Sequence, residues 1–250
     1  MLTERKNKIM DILSKKKTIS NEDLSKELFC SISTLRRDLI ELERAGQVSR
    51  YHGGVTIVDA TNSEYNYLSR EKSNTKEKSY LTSLAVPFIN EGDSLFLDSS
   101  STVLELCQYL ESFNHLIVVT NGVKTALTLS TIDNLSIYIA GGEIKNNSSS
   151  AVGELASNFL TNFRADILFL SCRGLDENGV YEASLSQALI KQKMIKNAKK
   201  VVLCVDSSKM NSPHFFNLTS YEDIDVILTN EKPSKKLLTA FDEHDCDVYY

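Results

Sequence analysis

Two adjacent arginines, Arg36 and Arg37, follow a group of small hydroxyl residues near the front of the 250-residue chain. Guanidinium groups neutralise phosphates and donate paired hydrogen bonds to guanine, and hydroxyls reach base edges without steric conflict. The hydroxyl residues that could act in this way are Ser31, Ser33 and Thr34. This combination is typical of a surface that binds double-stranded DNA. These residues alone would also fit an ordinary surface helix with two solvated arginines.

Helices are predicted on both sides of the arginine pair, and they favour the DNA-binding interpretation. Three leucines recur at the spacing of one helical face and leave the arginines off that face: Leu35, Leu39 and Leu42. Ser31 can cap the start of this helix, and the capping box Ser20-Asn21-Glu22-Asp23 opens a shorter helix before it. Residues 3–13 predict a third amphipathic helix that can close a small core with the other two. Three such helices are the minimum helix-turn-helix unit.

A hairpin is predicted directly after these helices. Gly46 suits the C-cap of the arginine-bearing helix, and residues 47–57 contain two short extended runs around His52-Gly53-Gly54. A hairpin at this point is the wing of a winged helix-turn-helix domain, which is mainly α-helical. We place that domain at residues 1–58, with the helix-turn-helix at about 20–39. On the wing, Arg50 and His52 are expected to grip the DNA backbone.

The distribution of charge agrees in sign with this assignment. Residues 1–56 carry 11 Lys and Arg against 8 Asp and Glu, a net charge of +3, whereas the whole chain has a net charge of −5. The front of the chain is therefore the part expected to meet phosphate. With 42% hydrophobic and 24% charged residues, the composition is ordinary for a soluble chain that buries a core.

The sequence contains no pattern typical of a membrane span, a signal peptide or a metal site. No run approaches the roughly 20 apolar residues that a span needs, and the opening Met-Leu-Thr-Glu-Arg-Lys lacks an apolar stretch. We therefore expect a cytoplasmic protein with no membrane partner. Five cysteines stand far apart: Cys30, Cys107, Cys172, Cys204 and Cys246. They are interpreted as small hydrophobic residues in a reducing compartment, with neither a disulfide framework nor a metal.

The rest of the chain predicts an α/β domain behind a connector. The hydrophobic pattern lapses over residues 59–74, which we interpret as a linker, and residues 75–250 form the second domain. A helix is predicted over residues 75–89. After it, helices at 102–110, 123–129, 153–160 and 186–196 alternate with apolar strands at 94–98, 116–120, 135–140, 165–171, 200–206 and 225–229. Such alternation indicates a mostly parallel sheet covered by helices on both faces.

Polar residues and glycines follow several of these strands, where α/β sheets bind their ligands. Asp98 could accept hydrogen bonds from sugar hydroxyls, and Lys209 could supply a point charge to a phosphate. Other residues expected to line the same edge of the sheet are Ser100, Ser101, Thr102, Asn121 and Gly141. Each alone would also fit a helix cap or a turn, but together they predict a site for an anionic ligand.

Almost the whole chain resembles the DeoR type of transcriptional regulator. In the front domain the resemblance is carried by Thr34-Leu35-Arg36-Arg37-Asp38-Leu39, Leu42-Glu43 and Arg50-Tyr51-His52-Gly53-Gly54. In the back domain it is carried by Arg70, Lys78, Leu97-Asp98 with its hydroxyls, Thr120-Asn121, Gly141-Gly142, Gly153 and Asp206-Ser207-Ser208-Lys209. The chain departs from the family pattern at Cys30, in the loop after Asp98 and at Ser171.

The resemblance implies a bacterial regulator, most often a repressor, that binds its DNA operator as a homo-oligomer and is released by a phosphorylated sugar. It also implies that the back domain is a sensor whose fold is related to ribose-phosphate isomerases. Arg173, just after the fourth predicted strand, could reach an effector phosphate or pair with Glu177; both alternatives stay open.

Two other functions fit the same residues. A sugar-phosphate isomerase or transferase with an attached DNA-binding module would need a general base, for which Asp98, Glu143 and Asp206 are available. Alternatively, the back domain only oligomerises and binds no sugar phosphate. We expect a regulator rather than an enzyme, with no catalytic residue, no cofactor and no metal.

Overall fold

The computed structural model describes residues 2–44, 47–57, 67–145 and 148–250. The chain forms two compact units, Met1–Ser69 and Arg70–Tyr250. The predicted cap at Gly46 and much of the predicted linker lie outside the described residues.

The first unit is a winged helix-turn-helix. Its elements are α1 (Leu2–Lys16), β1 (Thr18–Ser20), α2 (Asn21–Glu27), α3 (Ile32–Arg44), β2 (Val48–Tyr51) and β3 (Gly54–Ile57). The Ser20 side chain caps α2 by accepting a hydrogen bond from Asp23 N, as predicted. The wing is confirmed as the β2–β3 hairpin, but the sequence missed β1, which pairs antiparallel with β3. Three-residue strands carry too little periodicity to be recognised from sequence.

One small hydrophobic core holds this unit together. Leu35, Leu39 and Leu42 of α3 are all buried in it, as the leucine spacing predicts. They pack with apolar residues of the other helices and of the wing: Ile9, Leu13, Ile19, Leu24, Val48, Val55 and Ile57. Because the leucine face is buried, the rest of α3 is available to a partner.

From residue 67 onward, helices and strands alternate. The helices are α4 (Tyr67–Lys72), α5 (Thr75–Ser83), α6 (Ser101–Leu104), α7 (Cys107–Leu110), α8 (Val123–Leu129), α9 (Glu154–Leu160), α10 (Leu185–Lys196) and α11 (Lys235–Asp242). The strands are β4 (Ser94–Leu97), β5 (Ile117–Thr120), β6 (Ser136–Ile139), β7 (Glu143–Lys145), β8 (Ser150–Val152), β9 (Ala165–Leu170), β10 (Gly174–Asp176), β11 (Gly179–Glu182), β12 (Ala198–Cys204), β13 (Phe216–Thr219), β14 (Val226–Leu228) and β15 (Asp247–Tyr249).

Seven of these strands form one parallel sheet, in the order β15-β14-β12-β9-β4-β5-β6. The prediction of a mostly parallel sheet covered on both faces is confirmed, because alternate side chains of one strand are buried on opposite faces of the sheet. In β4, Phe96 packs into one hydrophobic cluster while Leu95 and Leu97 pack into another on the opposite face. The carboxyl ends of all seven strands therefore meet at one edge.

Several boundaries differ from the prediction. A helix, α4, occupies part of the segment predicted as a linker. The helix predicted over residues 75–89 ends at Ser83, because Pro87 cannot continue it and a single 3-10 turn, Val86–Phe88, follows. The helix predicted over 102–110 is two short helices, since Glu105 N and Leu106 N bond three residues back instead of four.

The sequence also missed two small antiparallel sheets. One joins β7 to β8, and the other has the order β10-β11-β13. Their strands have three or four residues each, too few to show an alternation of polar and apolar side chains.

All five cysteines are free thiols, as predicted. Four are buried, and burial raises the pKa of the Cys107 and Cys172 thiols to about 12.

Candidate functional site

The start of α3 presents a row of exposed hydroxyls. Ser31 Oγ accepts a hydrogen bond from Thr34 N at 3.3 Å, so Ser31 caps the helix as predicted. Its Oγ also lies 3.0 Å from Ser33 Oγ and 2.9 Å from Thr34 Oγ1. Ser31 and Ser33 are exposed and Thr34 is half-buried, so these hydroxyls are available to an outside partner.

Arg36 and Arg37 lie on the exposed side of α3, next to a carboxylate that is turned inward. Both arginines are exposed, and neither has an ion-pair partner among the described residues. Asp38, by contrast, is only 2% exposed and accepts hydrogen bonds from Arg5 Nε and Nη2 at 2.5 and 3.1 Å. Because Asp38 is paired with Arg5 of α1, it does not neutralise Arg36 or Arg37.

The wing is fixed to the end of α3 by an ion pair that the sequence did not predict. Arg50 N and Nε donate to the two carboxylate oxygens of Glu43, at 3.0 and 2.7 Å. These hydrogen bonds lower the pKa of the Glu43 carboxyl, and the bond from the Arg50 backbone has the largest effect. The guanidinium of Arg50, which the sequence predicts to grip the DNA backbone, is therefore engaged with Glu43 in the protein alone. His52 is exposed in the turn of the hairpin.

In the second unit, the loop after β4, which the sequence predicts to help bind an anionic ligand, is largely buried. Asp98 is completely buried, and its oxygens accept hydrogen bonds from Ser100 N at 2.9 Å and Ser171 N at 3.0 Å. Ser100 Oγ in turn caps α6 by accepting a bond from Val103 N at 3.1 Å. Since its lone pairs are used internally, Asp98 shapes the loop and does not offer its carboxylate to a sugar. Ser100, Ser101 and Thr102 are each less than a tenth exposed.

A buried lysine that the sequence analysis did not identify completes this arrangement. Lys191 of α10 pairs with Asp98 at 3.1 Å, pairs with Glu182 of β11 and donates to Ser171 O at 2.7 Å. The available signal was helical spacing, because Lys191 lies four residues after Gln187 and three before Met194, both buried on the same face.

Two further lysines lie at the carboxyl edge of the sheet. Lys209 Nζ donates to Ser171 Oγ at 2.7 Å and to Thr102 Oγ1 at 3.4 Å, and it lies 3.7 Å from Asp206 Oδ2. Lys78 of α5 is 3% exposed and donates to the backbone oxygen of Arg70. Burial, followed by the positive charge of Lys209, lowers the pKa of Lys78 to about 8. We call Lys78, Lys209 and Asp206 the lysine cluster.

The lysine cluster has a polar border. Asn74 Nδ2 donates to Asp206 Oδ1 at 3.2 Å and to Ser208 Oγ at 3.1 Å. The positive charge of Lys209 and the hydrogen bonds from Ser208 lower the pKa of Asp206 although burial opposes them. The site thus holds two ammonium groups around one ionised carboxylate, which favours an anionic ligand.

The remaining predicted site residues lie at other points of the edge. Asn121 is 1% exposed, and its Nδ2 donates to Ala151 O at 3.1 Å and to Ser99 Oγ at 3.4 Å. Its Oδ1 is buried and has no hydrogen-bond partner among the residues that the structure describes. Gly141 is exposed after β6. Arg173 is half-buried, and the Glu177 proposed as its alternative partner pairs with Lys236 at 2.6 Å.

Among the described residues, no group of His, Cys, Asp and Glu side chains could hold a metal ion. None of the helices in those parts of the chain is both long and apolar enough to cross a membrane.

A winged helix-turn-helix with exposed arginines, together with an α/β unit that has lysines at its carboxyl edge, defines a DNA-binding transcriptional regulator with a sensor domain. The family model of the DeoR-like helix-turn-helix domain matches residues 5–61, and that of the DeoR C terminal sensor domain matches residues 73–231. The chain belongs to the DeoR family of transcriptional regulators.

Two relatives illustrate this membership. The HTH-type transcriptional regulator GolR of Listeria innocua is 32% identical over 241 residues, which cover 96% of this chain and 95% of GolR. The glycerol-3-phosphate regulon repressor of Escherichia coli is 28% identical, covering 97% and 96% of the two chains. Among solved structures, ribose 5-phosphate isomerase A of Methanocaldococcus jannaschii is similar with a TM-score of 0.41 and 15% identity, over 55% of each chain.

Proposed function

We propose that this regulator represses an operon of sugar metabolism and leaves its DNA operator when it binds a phosphorylated sugar. The observation that carries the effector assignment is the lysine cluster, in which two ammonium groups share one carboxylate at the edge of the sheet. A phosphate dianion would pair with both ammonium groups there. Relatives named as repressors, including one of a glycerol-3-phosphate regulon, support repression of the operon.

On the DNA side, α3 enters the major groove with its first turn leading. Ser31, Ser33 and Thr34 contact base edges or phosphates, while Arg36 and Arg37 neutralise phosphates or read guanine. His52 approaches the backbone from the wing. Arg50 supports the wing through Glu43 and reaches a phosphate only by exchanging that partner.

On the effector side, the phosphate lies against Lys209 and Lys78, with hydroxyl donors from Thr102 and Ser208 beside them. Asp98 acts indirectly, because it holds the loop of Ser100 and Ser101 and the backbone of Ser171 in place. The Oδ1 atom of Asn121, which has no partner, accepts a hydrogen bond from a sugar hydroxyl. Gly141 and Arg173 border the sugar.

Control requires at least two copies of the chain, each reading one half of a repeated operator. The effector shifts DNA affinity only by the difference between its affinities for two arrangements of the oligomer. We place the oligomerising surfaces in the second unit.

The protein senses the sugar phosphate without converting it. An isomerase needs a carboxylate poised to take a proton near neutral pH. Asp98 is saturated by Lys191 and two backbone N–H groups, Asp206 has a lowered pKa, and Glu143 is exposed on β7. None of the three has the environment of a tuned base.

The test is a thermal-shift screen of the full chain with phosphorylated hexoses and pentoses, each beside its unphosphorylated parent sugar. A ligand of the folded state raises the unfolding temperature. We expect a phosphorylated compound to do so, to release bound DNA and to be recovered unchanged. Stabilisation by the parent sugars but not by their phosphates would contradict the phosphate assignment. Conversion of a phosphorylated sugar would support the alternative of a sugar-phosphate isomerase or transferase.

A further inference from the structure

Phe29 lies in the turn between α2 and α3 and has two unfavourable features at once. Its side chain is 97% exposed, the highest exposure among the large hydrophobic residues of the described chain. Its backbone has φ +49°, in the left-handed region that disfavours residues with a side chain. Neither feature helps the folded unit by itself.

The left-handed backbone is required by the way α2 ends. Phe29 N donates to Lys26 O, and Cys30 N donates to Ser25 O, both at 3.2 Å. These are the two hydrogen bonds of a Schellman motif, whose left-handed position is usually taken by Gly and sometimes by Asn. Glycine would therefore make this turn with less strain, and the fold of the unit does not explain the benzyl side chain.

Along the chain, Phe29 comes directly before the surface proposed to meet DNA. Two residues after it, Ser31 begins the exposed hydroxyl row, and Ile32, the first residue of α3, is 53% exposed. Two exposed apolar residues thus flank the first hydroxyl in the sequence and precede the two exposed arginines. The base edges in a major groove are polar except for the 5-methyl group of thymine, which aromatic and aliphatic side chains contact.

We propose that Phe29, together with Ile32, packs against thymine 5-methyl groups of the operator and gives the protein a preference for A·T pairs beside the start of α3. The contact rests on the proposed function, since it requires this end of α3 to enter the major groove. On binding, the ring and the methyl groups both lose apolar surface to water, so the exposed ring becomes favourable only in the complex.

The experiment uses the full chain and a duplex selected by it from randomised DNA. Dissociation constants are measured for the wild type, Phe29→Gly and Phe29→Leu on this duplex and on the same duplex with uracil replacing thymine. Phe29→Gly should unfold about 2–4 °C higher than the wild type, because the left-handed strain is relieved. It should nevertheless bind the thymine duplex about fourfold more weakly, the factor for losing burial of roughly one methylene-sized group.

Two controls define the outcome. Phe29→Leu keeps an apolar side chain and the strain, so it should retain most of the affinity and gain no stability. Uracil should weaken the wild type by a similar factor and weaken Phe29→Gly less, because only Ile32 is then left to contact the methyl groups. Equal affinities of Phe29→Gly and the wild type, or an equal uracil effect in both, would overturn the proposal.

Arg37→Ala separates this contact from the wider DNA-binding surface. If Arg37→Ala loses affinity and Phe29→Gly does not, the Phe29 contact alone is wrong. If neither loses affinity, the proposed entry of α3 into the groove fails. A change of molar mass in Phe29→Gly with unchanged DNA affinity would assign the ring to a contact between two copies and overturn the thymine contact.

Discussion

Lys191 Nζ lies 3.1 Å from Asp98 Oδ2 in the interior of the second unit, where the Asp98 side chain is not exposed at all and that of Lys191 is 7% exposed. Burial by itself would lower the pKa of Lys191, but the carboxylates of Glu182 and Asp98 outweigh it and raise that pKa. The lysine therefore stays charged. Through it, the loop after β4, strand β11 and the backbone of Ser171 are joined to α10.

Replacing this lysine should be far more damaging than replacing a surface one. Lys191→Met leaves two buried carboxylates without their cation, and we expect a loss of about 3–5 kcal/mol in the free energy of unfolding. Lys199→Met is the matched control, because Lys199 pairs with Asp166 at 2.7 Å but is 76% exposed; its loss should be below about 1 kcal/mol. Urea unfolding measures both. Losses of similar size would contradict a structural role for the buried lysine.

The Lys191–Asp98 pair also marks the limit of what the sequence could predict. The alternation of helices and strands follows from local hydrophobic patterns, so β4, β5, β9 and the parallel sheet were predicted correctly. Whether Asp98 faces a ligand or an internal cation depends on a residue 93 positions away, and local patterns do not contain that pairing. Asp98 was therefore placed at the correct edge of the sheet, but its internal partner Lys191 was not predicted.

The same limit applies in the first unit. The spacing of the leucines in α3 was enough to predict that Arg36 and Arg37 are exposed. The engagement of Arg50 by Glu43 depends on how the wing folds back on the end of α3, which the register of a hairpin alone does not fix.

Arg37→Ala should weaken DNA binding in a salt-dependent way. Loss of one phosphate contact, or of one guanine contact, costs about 1–3 kcal/mol, and losing a phosphate contact also reduces the slope of log K against log salt by about one. Binding to a selected duplex at several salt concentrations measures both quantities. Arg164→Ala, which removes an exposed arginine from the second unit, should change neither. An Arg37→Ala protein with the wild-type affinity and slope would exclude this arginine from the interface.

Effector binding should weaken above pH 8. The pKa of Lys78 is about 8, below its ordinary value of 10.5. A nearby phosphate favours the protonated amine, so binding is coupled to protonation of Lys78 and its affinity should fall as the pH rises from 8 to 9.5. The phosphate itself is already a dianion in this range. The measurement is the dissociation constant of a phosphorylated sugar identified by the thermal-shift screen.

The same shift has a consequence for the protein without effector. Because the folded pKa of Lys78 lies below the unfolded one, the unfolded chain holds more protons between about pH 8 and 10.5. The contribution of Lys78 to the free energy of unfolding should therefore rise with pH across this window. Lys78→Met should remove both the fall in effector affinity above pH 8 and this rise in the free energy of unfolding. A pH dependence that persists in Lys78→Met would have to come from another group.

Glu43→Gln should release Arg50 towards DNA. In the wild type the Glu43 carboxylate accepts hydrogen bonds from both the backbone and the guanidinium of Arg50, so the side chain is partly neutralised before DNA arrives. A glutamine keeps the shape but removes the negative charge, and Arg50 then becomes available to a phosphate. We expect tighter binding to duplex DNA at low salt and a salt slope steeper by about one. In the double variant Glu43→Gln with Arg50→Gln, the extra slope should disappear, because no guanidinium remains to make the contact. If Glu43→Gln weakens binding instead, the pair serves mainly to hold the wing against α3, and Arg50 does not reach the phosphates.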